Sequence, residues 1–334
     1  MDLSHIEKPL NGNALREYIS NAKNARESIV EGFLYKYTST MISADPGLGK
    51  STVATQVAVE LATGLPVFGV LEVTRPHKIL YIQTERSILE FAERLETISK
   101  IYPINVDNIY VTDEYQKLNI MKPDNLDLLI RAITRECPEL DVVFIDPIYS
   151  MVPGGLKDEG RATIFNNAMN MIQKTTNAAL YYNHHTVKAQ HGSDGGAIER
   201  DDPFYGSQWL KAHVTGSYHL KKTDSGVKFI CKKDNYNVLH KTIELDYDAE
   251  TQLCSIPKDE IPAIERVKNF LKVKKIDGKT FTFNELVLST GVCTRTARKL
   301  LMHSSIRPLL IVVSASKNRH IYRVGGGDLS SAVH

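Results

Sequence analysis

The chain is poor in cysteine, in long apolar runs and in net charge, and each shortage removes a class of protein. Its four cysteines, Cys137, Cys231, Cys254 and Cys293, are scattered and form no Cys-x-x-Cys pair. A disulfide framework and a structural zinc site are therefore not expected, and a reducing cytoplasm suits the composition. No apolar stretch approaches the roughly 18 residues of a membrane-spanning helix, so no membrane contact is expected. Met1-Asp2-Leu3-Ser4-His5 lacks the basic start and apolar stretch of a secretory signal. The formal net charge of the 334 residues is only +2, and this small figure hides an asymmetry. Residues 262–324 hold 13 Lys/Arg against 3 Asp/Glu, so that stretch carries +10 and the remainder −8. A small basic module joined to a mildly acidic one is a candidate for nucleic-acid contact.

What is present is a phosphate-binding loop, Ala44-Asp45-Pro46-Gly47-Leu48-Gly49-Lys50-Ser51. Gly47 and Gly49 let the backbone turn sharply, so that its N–H groups point at phosphate oxygens. Lys50 brings a cation near the β- and γ-phosphates, and the Ser51 hydroxyl is placed for Mg²⁺. Thr40–Ser43 reads as a buried strand and 51–63 as a helix whose N-terminus favours an anion, so strand, loop and helix fall in the required order. Asp45, Pro46, Gly47, Gly49, Lys50, Ser51 and Thr52 are the candidate ATP contacts. The first motif position is Ala44 instead of glycine, and a small residue there is tolerable.

Helical and strand patterns alternate between residues 29 and 254. Candidate strands are Thr40–Ser43, Lys78–Gln83, Asn108–Val111, Val142–Asp146 and Ala178–Asn183, separated by helices at 51–63, 87–101, 124–136 and 162–176. That alternation predicts an α/β fold with a largely parallel sheet covered by helices. Gly216–Lys222, Val227–Lys232 and His240–Leu245, joined by short turns, predict an antiparallel extension. The division expected is an N-terminal arm at 1–28, a nucleotide-binding domain at 29–256, a basic module at 262–324 and a disordered tail at 325–334. Pro257 and Pro262 mark the linker.

Three strands end in polar side chains suited to hydrolysis. Asp146 closes Asp141-Val142-Val143-Phe144-Ile145-Asp146 and is the expected Mg²⁺-site acid. Glu85 follows Lys78–Gln83, where it would orient and deprotonate water, or merely suit the dipole of the helix opening at Ser87. His184 and His185 end the third strand, and either would contact a γ-phosphate.

Together these residues resemble the RepA-type branch of the RecA/DnaB-like ATPases, a group that includes hexameric replicative helicases of plasmids and phages. The resemblance rests on the loop preceded by Ile29–Leu34, on Ala62–Gly69 and Pro76–Glu85, on Asp146-Pro147-Ile148-Tyr149, and on His184–Lys188 followed by Gly206-Ser207. It covers residues 29 to 245. It implies a RecA-like ring, with Glu85 as general base, Asp146 at the metal and His185, ahead of His184, sensing the γ-phosphate. Loops 151–161 and 187–205 would line a channel gripping single-stranded DNA, with Lys157, Arg161, Lys188 and Arg200 as its cations. Such rings insert a cation from the neighbouring subunit. Here the Lys-Asp-Asn-Tyr run offers Lys233, then Lys232, while Lys211 and His213 stand where an arginine is usual.

The basic module reads as a winged helix-turn-helix. A helix opens at Pro262, a short one carries Phe283, Leu286 and Val287, and Ser289-Thr290-Gly291-Val292 supplies the turn. Thr294 is expected to cap the third helix. Leu309–Ser314 and His320–Val324 would flank a wing at Ser316-Lys317-Asn318. Arg295, Thr296, Arg298 and Lys299 would meet duplex DNA in the major groove, with Lys317 and Arg319 on backbone phosphates. Such modules also bind proteins. The expected function is a homo-oligomeric, hexameric ATP-dependent DNA helicase. The alternatives are an ATP-switched loading or initiation factor and a RecA-like recombination ATPase.

Overall fold

The structure, a computed structural model, describes residues 11–13, 15, 16, 27–112, 118–156, 158–185, 208–316 and 319–325. The first described strands, β1 (Ser28–Val30) and β2 (Leu34–Tyr35), form a small antiparallel pair. The chain then alternates through β3 (Ser39–Ala44), α1 (Lys50–Thr63), β4 (Ile79–Gln83), α2 (Ile88–Ser99), β5 (Ile109–Val111), α3 (Pro123–Glu136), β6 (Val142–Asp146), α4 (Glu159–Thr176) and β7 (Ala179–His185). A short helix α5 (Gln208–His213) leads into β8 (Gly216–Lys222), β9 (Gly226–Asp234), β10 (Thr242–Asp248) and β11 (Leu253–Ser255). These strands make one nine-stranded sheet in the order β11-β10-β9-β8-β3-β7-β6-β4-β5. Pairing is parallel from β8 through β5 and antiparallel from β8 to β11. This is a RecA-like P-loop core.

The buried runs have a direct cause. A sheet covered on both faces asks for apolar side chains at every position, and β3, β4 and β6 are buried throughout. Successive side chains still alternate between faces. Ile42, Tyr81, Phe144 and Tyr181 join one core with Val53 and Val57 of α1. Met41, Leu80, Val143 and Leu180 join the other with Leu126 and Leu129 of α3 and Phe165 of α4. Phe144 stacks 5.6 Å from Tyr81 and lies 4.8 Å from Tyr181, centroid to centroid.

Helix ends follow local chemistry. The Ser87 side chain accepts from Glu90 N to open α2, and Asp158 accepts from Arg161 N to open α4. The Asp158 cap starts α4 three residues ahead of the 162 expected from periodicity. One fastening is unusual: the Gln56 carboxamide of α1 donates to Cys254 O at 2.7 Å and accepts from Cys254 N at 2.8 Å. It pairs with β11 as another strand would. Gln56 also donates to Glu60, whose other oxygen accepts from Phe68 N.

After residue 262 a separate core begins. Helices α6 (Ala263–Asp277), α7 (Phe283–Thr290) and α8 (Thr294–Leu301) accompany β12 (Phe281–Thr282), β13 (Leu310–Ser316) and β14 (Arg319–Val324). The three strands are antiparallel in the order β12-β14-β13. Val267, Leu271, Phe281, Leu286, Ala297 and Leu301 fill its interior. Gly291 closes α7 in the left-handed region, φ 63°, where a side chain would be strained. Thr294 does not cap α8. Cys293 holds the cap position, its Sγ meeting the Thr296 hydroxyl at 3.2 Å without a capping bond to the helix backbone, and Thr294 is the first helical residue. Asn269 donates to Gly69 O and Lys272 pairs with Glu72, so α6 rests on the loop that follows α1.

Candidate functional site

The site gathers at the C-terminal ends of the parallel strands, where the register sets four adjacent tips side by side. β3 runs into the loop 45–49, with Gly47 at φ 82° and Gly49 at φ 78°. Both glycines face open space, so it is the left-handed backbone, not a clash, that demands them. No side chain caps α1 at Gly49, which leaves first-turn N–H groups for an anion. Lys50 is 7% exposed, and its Nζ donates to Ala44 O at 2.7 Å and to Asp45 O at 3.1 Å. Burial pulls its pKa below the usual lysine range, against the opposing charges of Asp146, Asp45 and Glu85. Asp45 and Pro46 are exposed at the rim, and Ser51 and Thr52 are half-buried at the helix start.

Asp146 ends β6 and is held from two sides. Tyr81 Oη donates to its Oδ2 at 2.6 Å, and Asn183 Nδ2 donates to its Oδ1 at 2.7 Å. Burial, then the Asp146 charge, raise the Tyr81 pKa well above the ordinary phenol, so Tyr81 stays a donor. Glu85 lies two residues beyond β4. Its Oε1 is 3.8 Å from His185 Nε2 and accepts from Ser150 Oγ at 3.3 Å. His185 chiefly, opposed by burial, holds the Glu85 carboxyl below the usual range. Glu85 is thus ionised at neutral pH, as a general base must be.

The two histidines part company. β7 runs to residue 185, two positions past the expected end, so both lie in the strand and point to opposite faces. His185 shares the α1 face with Tyr181 and Asn183 and stands beside Glu85. His184 shares the other face with Tyr182 and is 2% exposed. The geometry groups His185, not His184, with the phosphate loop.

A shallow cleft joins Ser51, Thr55, Tyr81, Gln83, Glu85, Arg86, Arg94 and Asp146. Ser51 and Asp146 are the pair in it that can hold a divalent cation; among the described residues no cluster of three His, Cys, Asp or Glu competes. Sequence reading missed Tyr81, Gln83, Arg86, Arg94 and Asn183. Two signals were available. Asn183 and His185 are two apart on one strand face, and Arg86 just ahead of α2 recurs at a spacing of four with Glu90 and Arg94 on it.

Lys233 lies elsewhere. It pairs with Ser217, which is level with Met41, three residues short of Ala44, and its Nζ donates to Lys211 O at 2.8 Å. Burial, then Lys211, lower its pKa. The β8–β9 register shifts between Ser217 and Tyr218, partners of Lys233 and Cys231, which leaves Lys232 as a bulge. Lys233 is thus engaged away from its own phosphate loop. Arg161 is turned inward onto Gly155 O at 2.8 Å and Pro153 O, so its guanidinium bonds its own loop. Val152 and Leu156 of that loop are core residues. Lys157, Lys188, Arg200 and Lys317, the whole of loop 187–205, most of the arm at 1–28 and the tail beyond 325 lie outside the described residues. On α8, Arg295, Arg298 and Lys299 are exposed opposite the buried Ala297 and Leu301, and Arg298 sits 5.6 Å over the Phe283 ring. Arg319 is the first residue of β14. No helix among the described residues is long and apolar enough to cross a membrane.

Residues 13–191 match the family described as AAA domain. The chain is 27% identical over 157 residues to the DNA repair protein RadA of Synechocystis sp.. That alignment takes in 44% of this chain but only 28% of the relative, so the chain spans under a third of that protein's length. The family match covers more than half of the sequence and contains the loop, Glu85, Asp146 and His185 together, and the chain therefore belongs to the AAA domain family of nucleotide-binding P-loop ATPases.

Proposed function

We propose that this protein is a DNA-stimulated ATPase that assembles into a RepA-like ring, holds ATP between subunits and translocates on single-stranded DNA as a helicase. The observation that carries the hydrolytic part is the meeting of Lys50, Asp146, Glu85 and His185 at one sheet end, with Glu85 3.8 Å from His185. Lys50 and the loop N–H groups would cradle the phosphates, Glu85 would take the proton of the attacking water, and His185 would respond to the γ-phosphate. Mg²⁺ fits the residues present. Ser51 and Asp146 offer hard oxygen donors to one cleft, and the buried Gln83 Nε2 is orphaned beside them. Bound there with ATP, the ion would neutralise phosphate charge.

The oligomer is supported by Lys233, which is built into the sheet away from its own loop and so is suited to a neighbour's site. DNA contact is supported by the net +10 of residues 262–324 and by three cations on one face of α8. The order of α6-β12-α7-α8-β13-β14 and the strand order β12-β14-β13 support a winged helix. The likeness to a DNA repair protein favours a second reading, a recombination or repair ATPase.

The test is ATP hydrolysis with and without single-stranded DNA, with a forked duplex present to score strand separation. Stimulation with separation is expected. Stimulation without separation would favour the repair or loading readings, and hydrolysis indifferent to DNA would remove the motor.

A further inference from the structure

We infer that Gln83 is a positioning residue of the phosphate site, its carboxamide bonding the water shell of a magnesium ion held between Ser51 and Asp146. The inference rests on the nucleotide reading and adds a residue to it. Gln83 is 4% exposed at the end of β4, and the β4–β6 register pairs it directly with Asp146. Both side chains therefore stand on the α1 face and border the cleft shared with Ser51 and Glu85.

The local hydrogen bonding is lopsided. Asp146 has a protein donor on each oxygen, Tyr81 on Oδ2 and Asn183 on Oδ1. The carboxamide of Gln83, its ladder neighbour, makes no hydrogen bond to any described residue, and its buried Nε2 has no partner. A buried amide without a partner is costly, and an apolar side chain of similar shape would suit an all-buried strand better. The partner must therefore arrive with the ligand. Tyr81 and Asn183 already engage both oxygens of the Asp146 carboxylate, so a cation there would be reached in part through water. Magnesium gives up its waters reluctantly, and those waters are strong donors. A carboxamide offers both an acceptor and a donor, and rotation about its last bond lets either atom face them.

Substitution separates this from a structural role. Gln83→Leu, with Gln83→Met as a second isostere, is compared with wild type in two measurements. One is the magnesium concentration that half-saturates binding of a fluorescent ATP analogue. The other is the melting temperature without ligand. We expect the magnesium midpoint to rise about tenfold, the factor one net hydrogen bond carries, with metal-free nucleotide affinity unchanged and the unliganded melting temperature equal or higher. An unchanged midpoint in both variants overturns the inference, as does a lower melting temperature with metal-free affinity lost. If the wild type binds the analogue without regard to magnesium, the inference falls while the nucleotide site stands, and if the wild type does not bind the analogue at all, the nucleotide-site reading falls too.

Discussion

Tyr81 donates a 2.6 Å hydrogen bond to Asp146, between side chains on strands paired in the sheet, and so fixes the carboxylate at the mouth of the cleft. Tyr81→Phe removes that donor and leaves Asn183 alone to orient Asp146. We predict a loss of stability of roughly 1.5–3 kcal/mol, the range for a hydrogen bond to a charged group, and slower ATP turnover with nucleotide affinity largely kept. Chemical denaturation and steady-state kinetics check both.

The Glu85–His185 pair gives a pH signature. His185 holds the Glu85 pKa below the ordinary carboxylate value. The base form is present above the folded pKa and is lost as pH falls through it, so the acid limb of turnover lies below the usual carboxylate range. His185→Ala should move that limb upward toward ordinary values, while Glu85→Gln should bind ATP and stall. Normal turnover in Glu85→Gln would remove it from the mechanism.

Arg94 makes no hydrogen bond or ion pair with any described residue, and burial, then repulsion from Arg86, lower its pKa. Arg94→Met keeps the stem and removes the charge. We expect at least about tenfold weaker nucleotide affinity, as for a charged hydrogen bond, with stability unchanged or improved. Calorimetric titration and a thermal melt decide it.

Glu60 is buried in α1 and its pKa is pushed up to about 8, by burial first, against bonds from Gln56, Phe68 and Tyr102. Between its unfolded value and about 8 the folded state binds the extra proton, so stability falls as pH rises through that window and levels off above it. Melting temperatures at acid and mildly alkaline pH should show this decline, and Glu60→Gln should flatten it. An equal decline in the variant would place its source elsewhere.

On α8, replacing Arg295, Arg298 and Lys299 with alanine should weaken duplex binding. The slope of log affinity against log salt should fall by about one for each phosphate no longer neutralised. For Lys233→Ala, mixing with wild type should poison ATPase activity more than in proportion if the lysine acts on a neighbour.

The sequence was most legible where one rule acted alone. The phosphate loop carries its glycines, lysine and serine in order, and Val142–Asp146 matches its strand end to end because a doubly covered sheet leaves no polar position inside it. Short elements escaped. β11 has three residues, too few to show a period, and is held by Gln56 from a distant helix. The partners of Asp146 were hidden for a related reason. Tyr81 reads as an apolar strand residue until β4 and β6 are paired, and only pairing brings it to the carboxylate. The choice between His184 and His185 needed the true end of β7.

The bonds from Gln56 to both backbone atoms of Cys254 have a practical consequence for dissecting the protein. The helix that opens the nucleotide site is stitched to a strand that comes 198 residues later in the chain. Any fragment cut ahead of that strand would leave the Gln56 carboxamide among apolar neighbours without its two backbone partners. Ile256, whose N–H bonds Phe68 O, extends the seam by two residues. We predict that the shortest independently folding nucleotide-binding unit ends at or after Ile256, a boundary that hydrogen bonding sets just ahead of the Pro257 linker.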